Sequence, residues 1–213
     1  MAREDTTENA MEMAMETVME TTMETKTTTN GIRPARPADV PDILRLIRDL
    51  ATYEREPDAV RNTEEDLHRH LFGEHPAVFC HVVEDDANGA DDVLADESGS
   101  APRVVGLALW FLNYSTWEGT HGIWLEDLYV DPAARGRGHG RRLLEHLAGV
   151  CSERGYARME WTVLDWNEPS IGFYRSLGAE PLDEWTTFRL TGDALEQAGA
   201  AAAVGAGVRG ARR

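Results

Sequence analysis

Leu125 to Cys151 reads LEDLYVDPAARGRGHGRRLLEHLAGVC, and this stretch decides the fold. It opens as a strand, with Leu125, Leu128 and Val130 set among acids and an aromatic, and Asp131-Pro132 stops it. It closes as a helix, because Leu143, Leu144, Leu147, Ala148, Val150 and Cys151 recur at helical spacing and make one apolar face. Between the two lies Arg135-Gly136-Arg137-Gly138-His139-Gly140, an R-x-x-G-x-G loop. Its glycines let backbone N–H groups approach a ligand without interference from a Cβ. The start of the helix adds unpaired N–H groups and the positive end of its dipole. Arg135, Arg137, Arg141 and Arg142 add charge. A strand, such a loop and a helix together form a seat for a pyrophosphate. Two other nucleotide motifs are excluded. Lys26 is the only lysine, so no G-x-x-x-x-G-K-[ST] exists, and glycines at 136, 138 and 140 do not fit G-x-G-x-x-G.

An R-x-x-G-x-G loop after a strand ending LEDLYV resembles the acetyl-coenzyme A (acetyl-CoA) loop of the GNAT N-acetyltransferases. A second block, from Val163-Leu164-Asp165-Trp166-Asn167 through Ser170 to Tyr174, then Leu177-Gly178-Ala179, is similar to the W-N-x-x-(S/A)-x-x-x-Y…G-A block of one branch. That branch holds the diamine (spermidine/spermine) and thialysine acetyltransferases. Leu50-Ala51-Thr52-Tyr53-Glu54 and Phe72-Gly73-Glu74-His75-Pro76 resemble it too, and the likeness spans roughly residues 32–192. The resemblance implies an α/β protein of GNAT fold: a mixed, mostly antiparallel central sheet with a splayed central strand pair and flanking helices. It implies transfer of an acetyl group from acetyl-CoA to a primary amine of a small cationic substrate, in a homodimer. A protein amine as acceptor, and a non-catalytic acyl-CoA-binding regulator, are the competing expectations.

Composition narrows the partners. The net charge is −17. Residues 1–31 carry seven acids against two bases and residues 193–213 two acids against three arginines, so the body between keeps −13. An acidic body argues against nucleic acid and suits a cationic substrate. Cys80 and Cys151 are the only cysteines and both fall in apolar patterns, as free thiols in a reducing cytoplasm do. No Cys/His spacing suggests a metal, no apolar run approaches a membrane span, and no signal peptide is read at the N-terminus.

Residues 1–31, with Met-Glu-Thr recurring, read as a disordered tail, residues 32–192 as the folded domain and residues 193–213 as an Ala/Gly-rich tail, helical at first. Within the domain, strands are expected at Ile32–Arg36, Ala77–Glu84, Arg103–Leu112, 122–131, Ala157–Leu164 and Trp185–Leu190. Asp39 is expected to cap a first helix with Pro41 in its first turn and Val40, Ile43, Leu44, Ile47, Leu50 and Ala51 as its buried stripe. Thr63 with Asp66 reads as a capping box starting a helix to about Leu71, and Glu168 to Leu177 as a short helix ended near Gly178. The acidic run at 85–100 reads as an exposed hairpin loop.

Acetyl transfer to an amine needs a lost ammonium proton, an oriented amine, a donor to the oxyanion and a proton for the departing thiolate. By resemblance, the main chain of Leu128, Tyr129 and Val130 would bind the pantetheine, and the loop from Arg135 through Gly136, Arg137, Gly138, His139 and Gly140 to Arg141 would hold the pyrophosphate. Asn167 and Ser170 would contact the coenzyme near its thiol end. Tyr174 is the expected general acid, since phenol and thiol pKa values lie within about two units. Glu126 is the expected base, acting through a water, and Asp127 is its neighbour on what alternation makes the opposite face. Tyr53, Glu54, Trp117, Trp161, Asp183, Glu184 and Trp185 are the expected lining of the amine pocket, where aromatic faces and carboxylates suit an aliphatic ammonium. Ser115 stands where polyamine-directed members carry an acid, so a shorter amine or an amino-acid side chain fits as well.

Overall fold

The computed structural model describes residues 31–85 and 103–208, and the expected N-terminal tail and nearly all of the acidic loop lie outside them. The described residues fall into two compact units, meeting in sequence at Thr162/Val163. The first holds a five-stranded sheet in the order β1 (Ile32–Pro34), β2 (Phe79–Asp85), β3 (Arg103–Ser115), β4 (Thr120–Val130) and β5 (Met159–Glu160). All neighbours are antiparallel except β4 and β5, which run parallel. Its helices are α1 (Val40–Tyr53), α2 (Glu64–Phe72) and α3 (His139–Arg154).

The helices cover both faces of the sheet. Val40, Ile43, Leu44 and Leu46 of α1 and Leu67 and Leu71 of α2 close on Cys80, Val82, Leu107, Leu109 and Tyr129. On the other face His146 of α3 meets His81 of β2, their rings 4.5 Å apart, and His81 Nδ1 accepts from the Trp110 indole at 3.1 Å. Leu143, Leu144, Leu147 and Cys151 are buried along α3 as the spacing predicts, whereas Ala148 is exposed. Burial pushes the His81 imidazole down to about 3, with His146 and Arg154 acting in the same direction. A ring held neutral this way favours the fold above its unfolded value near 6.5, and that preference is lost as pH falls through the window below it.

Thr63 and Asp66 form the expected capping box, Thr63 Oγ1 accepting from Asp66 N at 3.1 Å. Asp39 does not cap α1 with its side chain. It lies in a 3₁₀ turn, Pro37–Asp39, where its Oδ2 accepts from Arg36 N at 2.6 Å and its carboxylate takes both ends of the buried Arg33 guanidinium. That bidentate bond, shared with Glu84, outbids a cap. Leu46, absent from the expected stripe, is fully buried.

The second unit holds α4 (Glu168–Arg175) and α5 (Gly192–Val208). Two expected strands are corrected. Ala157–Leu164 contracts to Met159–Glu160, and Trp185–Leu190 is not a strand. Trp185 and Phe188 are 70% and 91% exposed there. A strand is a pairing, and an alternating pattern specifies no partner for it.

Candidate active site

Two irregularities in the sheet build the site. The first is the divergence of β4 from β5. Their pairing covers only Ile123↔Met159 and Trp124↔Glu160, and β4 runs on from Leu125 to Val130 beyond it. The expected pantetheine strand, Leu128-Tyr129-Val130, lies in that extension. This is the splayed pair expected from the resemblance.

The second is a bulge. Trp110 pairs with Leu125 and Leu109 with Asp127, which leaves Glu126 as the extra residue. Directly opposed residues share a face. Leu125 therefore lies with Trp110 on the α3 face, and Asp127 lies with Leu109 on the α1 face. Trp124, one residue before Leu125, also stands on the α1 side, and its indole donates to Glu126 Oε2 at 3.0 Å. Simple alternation puts Glu126 and Asp127 on opposite faces. The bulge brings both to the face of α1, whose C-terminal residue is followed by Glu54.

The acids differ in environment. Glu126 is exposed. The Asp127 carboxyl is pushed up to about 6, first by burial and then by the like charges of Glu126 and Glu54. Burial also raises Glu54. Among the described residues, burial, Glu126 and Glu54 all raise Asp127, and no cation offsets them. Such a group is what an ammonium ion would satisfy.

The glycine loop follows a 3₁₀ turn, Pro132–Ala134. Gly136 and Gly138 both hold φ near +80°, and among the described residues beyond their immediate chain neighbours no atom lies within 4 Å of where a Cβ would stand. Gly138 is the N-cap of α3, so the first amides of that helix have no intrahelical acceptor. An anion with several oxygens fits this open, amide-lined turn. Around it Arg137 pairs with Asp85 at 2.6 Å, and Arg142 Nη2 meets His139 Nδ1 at 2.7 Å. His139 is buried, and among the described residues its Nε2 has no hydrogen-bond partner. Arg135 is placed differently. Its Nε donates to Val130 O at 3.0 Å and its guanidinium lies 5.4 Å from the ring centroids of both Tyr53 and Tyr129.

The first unit thus brings together Tyr53, Glu54, Glu126, Asp127, residues 128–130 of β4 and the glycine loop. Trp161 is half-buried beyond β5. Trp117 is 90% exposed in the β3–β4 turn. Ser115 is buried under that turn, its Oγ accepting from Glu118 N at 3.1 Å, so it serves the turn. In the second unit Asn167 caps α4, its Oδ1 accepting from Ser170 N at 3.3 Å. Tyr174 is half-buried on α4 with its ring 5.4 Å from Phe173, and Asp183, Glu184 and Trp185 are exposed. The bulge and the placement of Arg135 have no sequence signal, because each depends on a partner distant in the chain.

Comparison with known proteins agrees with this geometry. The family model described as Acetyltransferase (GNAT) family matches residues 41–179. The chain is 40% identical over 169 residues to the thialysine N-epsilon-acetyltransferase of Bos taurus, covering 78% of this chain and 95% of that one. It is 33% identical to the L-ornithine N5-acetyltransferase of Arabidopsis thaliana over 78% of this chain and 86% of the relative. It is 35% identical to the human spermidine/spermine N(1)-acetyltransferase-like protein 1, over 77% of this chain and 23% of that protein.

Proposed function

This chain belongs to the GNAT acetyltransferase family, and from that premise we propose that it acetylates a primary amine of a small aliphatic substrate carrying more than one positive charge. A diamine, a polyamine or a lysine analogue meets that description. The observation that carries this reading is the run of acids on one face, Glu54, Glu126 and Asp127, with Asp127 raised first by burial and then by its like-charged neighbours. A single ammonium neutralises one of these carboxylates, and a second cationic centre on the substrate would pair with another. The relatives named for thialysine, ornithine and spermidine/spermine support the same class.

Acetyl-CoA supplies the thioester. In this reading the turn from Gly136 to Gly140, with Arg137 and Arg141, holds its pyrophosphate, and Asn167 and Ser170 contact it nearer the thiol. Glu126, exposed and reached first, draws the ammonium in. Asp127, its carboxyl pushed up to about 6 by burial and by like charges, takes its proton directly or through a water. An amine then faces the thioester with a free electron pair. Tyr174 gives its proton to the departing thiolate, a role supported by its place in the W-N-x-x-S-x-x-x-Y block.

Assembly as a homodimer belongs to the same proposal, and light scattering should return twice the chain mass. A cytoplasmic site is supported by the free, buried thiols of Cys80 and Cys151, and cell fractionation checks it. Among the described residues no helix is long and apolar enough to cross a membrane.

The coenzyme seat is tested by melting. Acetyl-CoA at about 100 times its Kd should stabilise the protein by about 2.7 kcal/mol, a rise of several degrees. Gly138→Asp should abolish the rise. Aspartate tolerates the left-handed backbone at this N-cap better than most residues, and the space for its Cβ is open, so the fold should survive. Its carboxylate would then repel the phosphates. A folded variant with the full rise would move the seat elsewhere.

A further inference from the structure

Arg135 is the first residue of the glycine loop, and its guanidinium makes three contacts within the first unit. It reaches back to the carbonyl of Val130 and lies against Tyr53 and Tyr129. Tyr129 stands two residues from Asp127 on the same face of β4, and packs in the core beneath α1. Tyr53 is the last residue of α1, and Glu54 follows it. One planar cation therefore ties three pieces of chain together: the loop, the strand that carries Asp127 and the helix end that carries Glu54.

Resting on the acetyltransferase reading above, we propose that Arg135 is a positioning residue for the amine: it fastens the acid-bearing end of α1 to the coenzyme loop without touching the amine. The chemistry explains why arginine stands there. A flat guanidinium offers a face to an aromatic ring while its edge keeps N–H donors for a carbonyl. A lysine carries the charge but lacks the second face and the rigid fork. The consequence is mechanical. The coenzyme loop and the amine-binding carboxylates move as one body, so seating the coenzyme also fixes where the ammonium is held.

The test separates this from a phosphate-binding role. Arg135→Lys keeps the charge and should raise the amine KM about tenfold, with the coenzyme Kd, followed by calorimetry, moving less than about threefold. Tyr53→Leu should give the same loss and Tyr53→Phe should restore it, since a phenyl face still accepts the cation. The pair Arg135→Lys/Tyr53→Leu should be no worse than either change alone, as expected for residues sharing one contact. Hydrogen exchange supplies a readout independent of turnover. The Glu54 amide bonds to Leu50 O at 2.9 Å, and it should exchange faster in Arg135→Lys but not in Arg141→Lys. A tenfold weaker coenzyme Kd with an unchanged amine KM would overturn the proposal and make Arg135 a coenzyme ligand. Additive losses in the double variant would also overturn it. If the wild type acetylates no amine, the functional reading fails, and the exchange rate alone decides: faster exchange upholds the tie and an unchanged rate ends it.

Discussion

Asp127→Asn should inactivate the enzyme and stabilise it in the same step. The carboxyl sits at about 6 in the fold against 3.8 in its ordinary state, raised first by burial and then by Glu126 and Glu54. The sign follows directly. A folded value above the unfolded one means the fold holds a proton that the unfolded chain has released. The wild type is thus penalised above pH 6, and the penalty fades as pH falls toward 3.8. Asparagine keeps the shape and removes the charge. At pH 8 the variant should gain about 1–3 kcal/mol, and its melting temperature should rise by several degrees. At pH 4 the two proteins should melt together. Turnover should move the other way, with kcat/KM for the amine falling about 10²–10⁴-fold, because the proton acceptor and a point of attraction vanish together. Glu126→Gln should cost less, since Glu126 is exposed. An Asp127→Asn protein that is less stable at pH 8, or that turns over normally, would show that Asp127 is a structural carboxylate.

Tyr174→Phe should lower kcat by about 10²–10⁴-fold and leave acetyl-CoA affinity near that of the wild type. The phenol is needed only as charge develops on sulfur, so its loss is felt in the transition state and spares ground-state binding. Phenylalanine keeps the ring beside Phe173, so α4 should be undisturbed. Coenzyme binding by calorimetry and thiol release under saturating amine separate the two quantities. Normal turnover in this variant would mean that water or another group protonates the thiolate.

How much of this was legible in the sequence depends on how local each feature is. The glycine loop and α3 were legible because positive φ at Gly136 and Gly138 and an apolar face at Leu143, Leu144 and Leu147 are written within a few residues. The capping box at Thr63 was legible for the same reason. Periodicity tracks apolar residues only, so it passed over His146, whose ring meets His81 of the sheet. The bulge at Glu126 was out of reach, since a one-residue slip belongs to the pairing of β3 with β4. Alternation therefore misjudged how the adjacent acids face. Asp39 looked like a cap because the buried Arg33 that claims it lies on the other side of a turn. Trp185 to Leu190 has the composition of a strand, but composition supplies no neighbouring edge.

The central claim is a chemical event, and thiol release tests it most directly. The purified chain is mixed with acetyl-CoA and, in turn, with ornithine, thialysine, a diamine and spermidine, and free thiol is followed alongside the mass of the amine. Thiol and N-acetylated amine should appear in equal amounts, and amines bearing a second cationic centre should react with the highest kcat/KM. Stable binding of acetyl-CoA, with no thiol released by any of these amines, would contradict that claim.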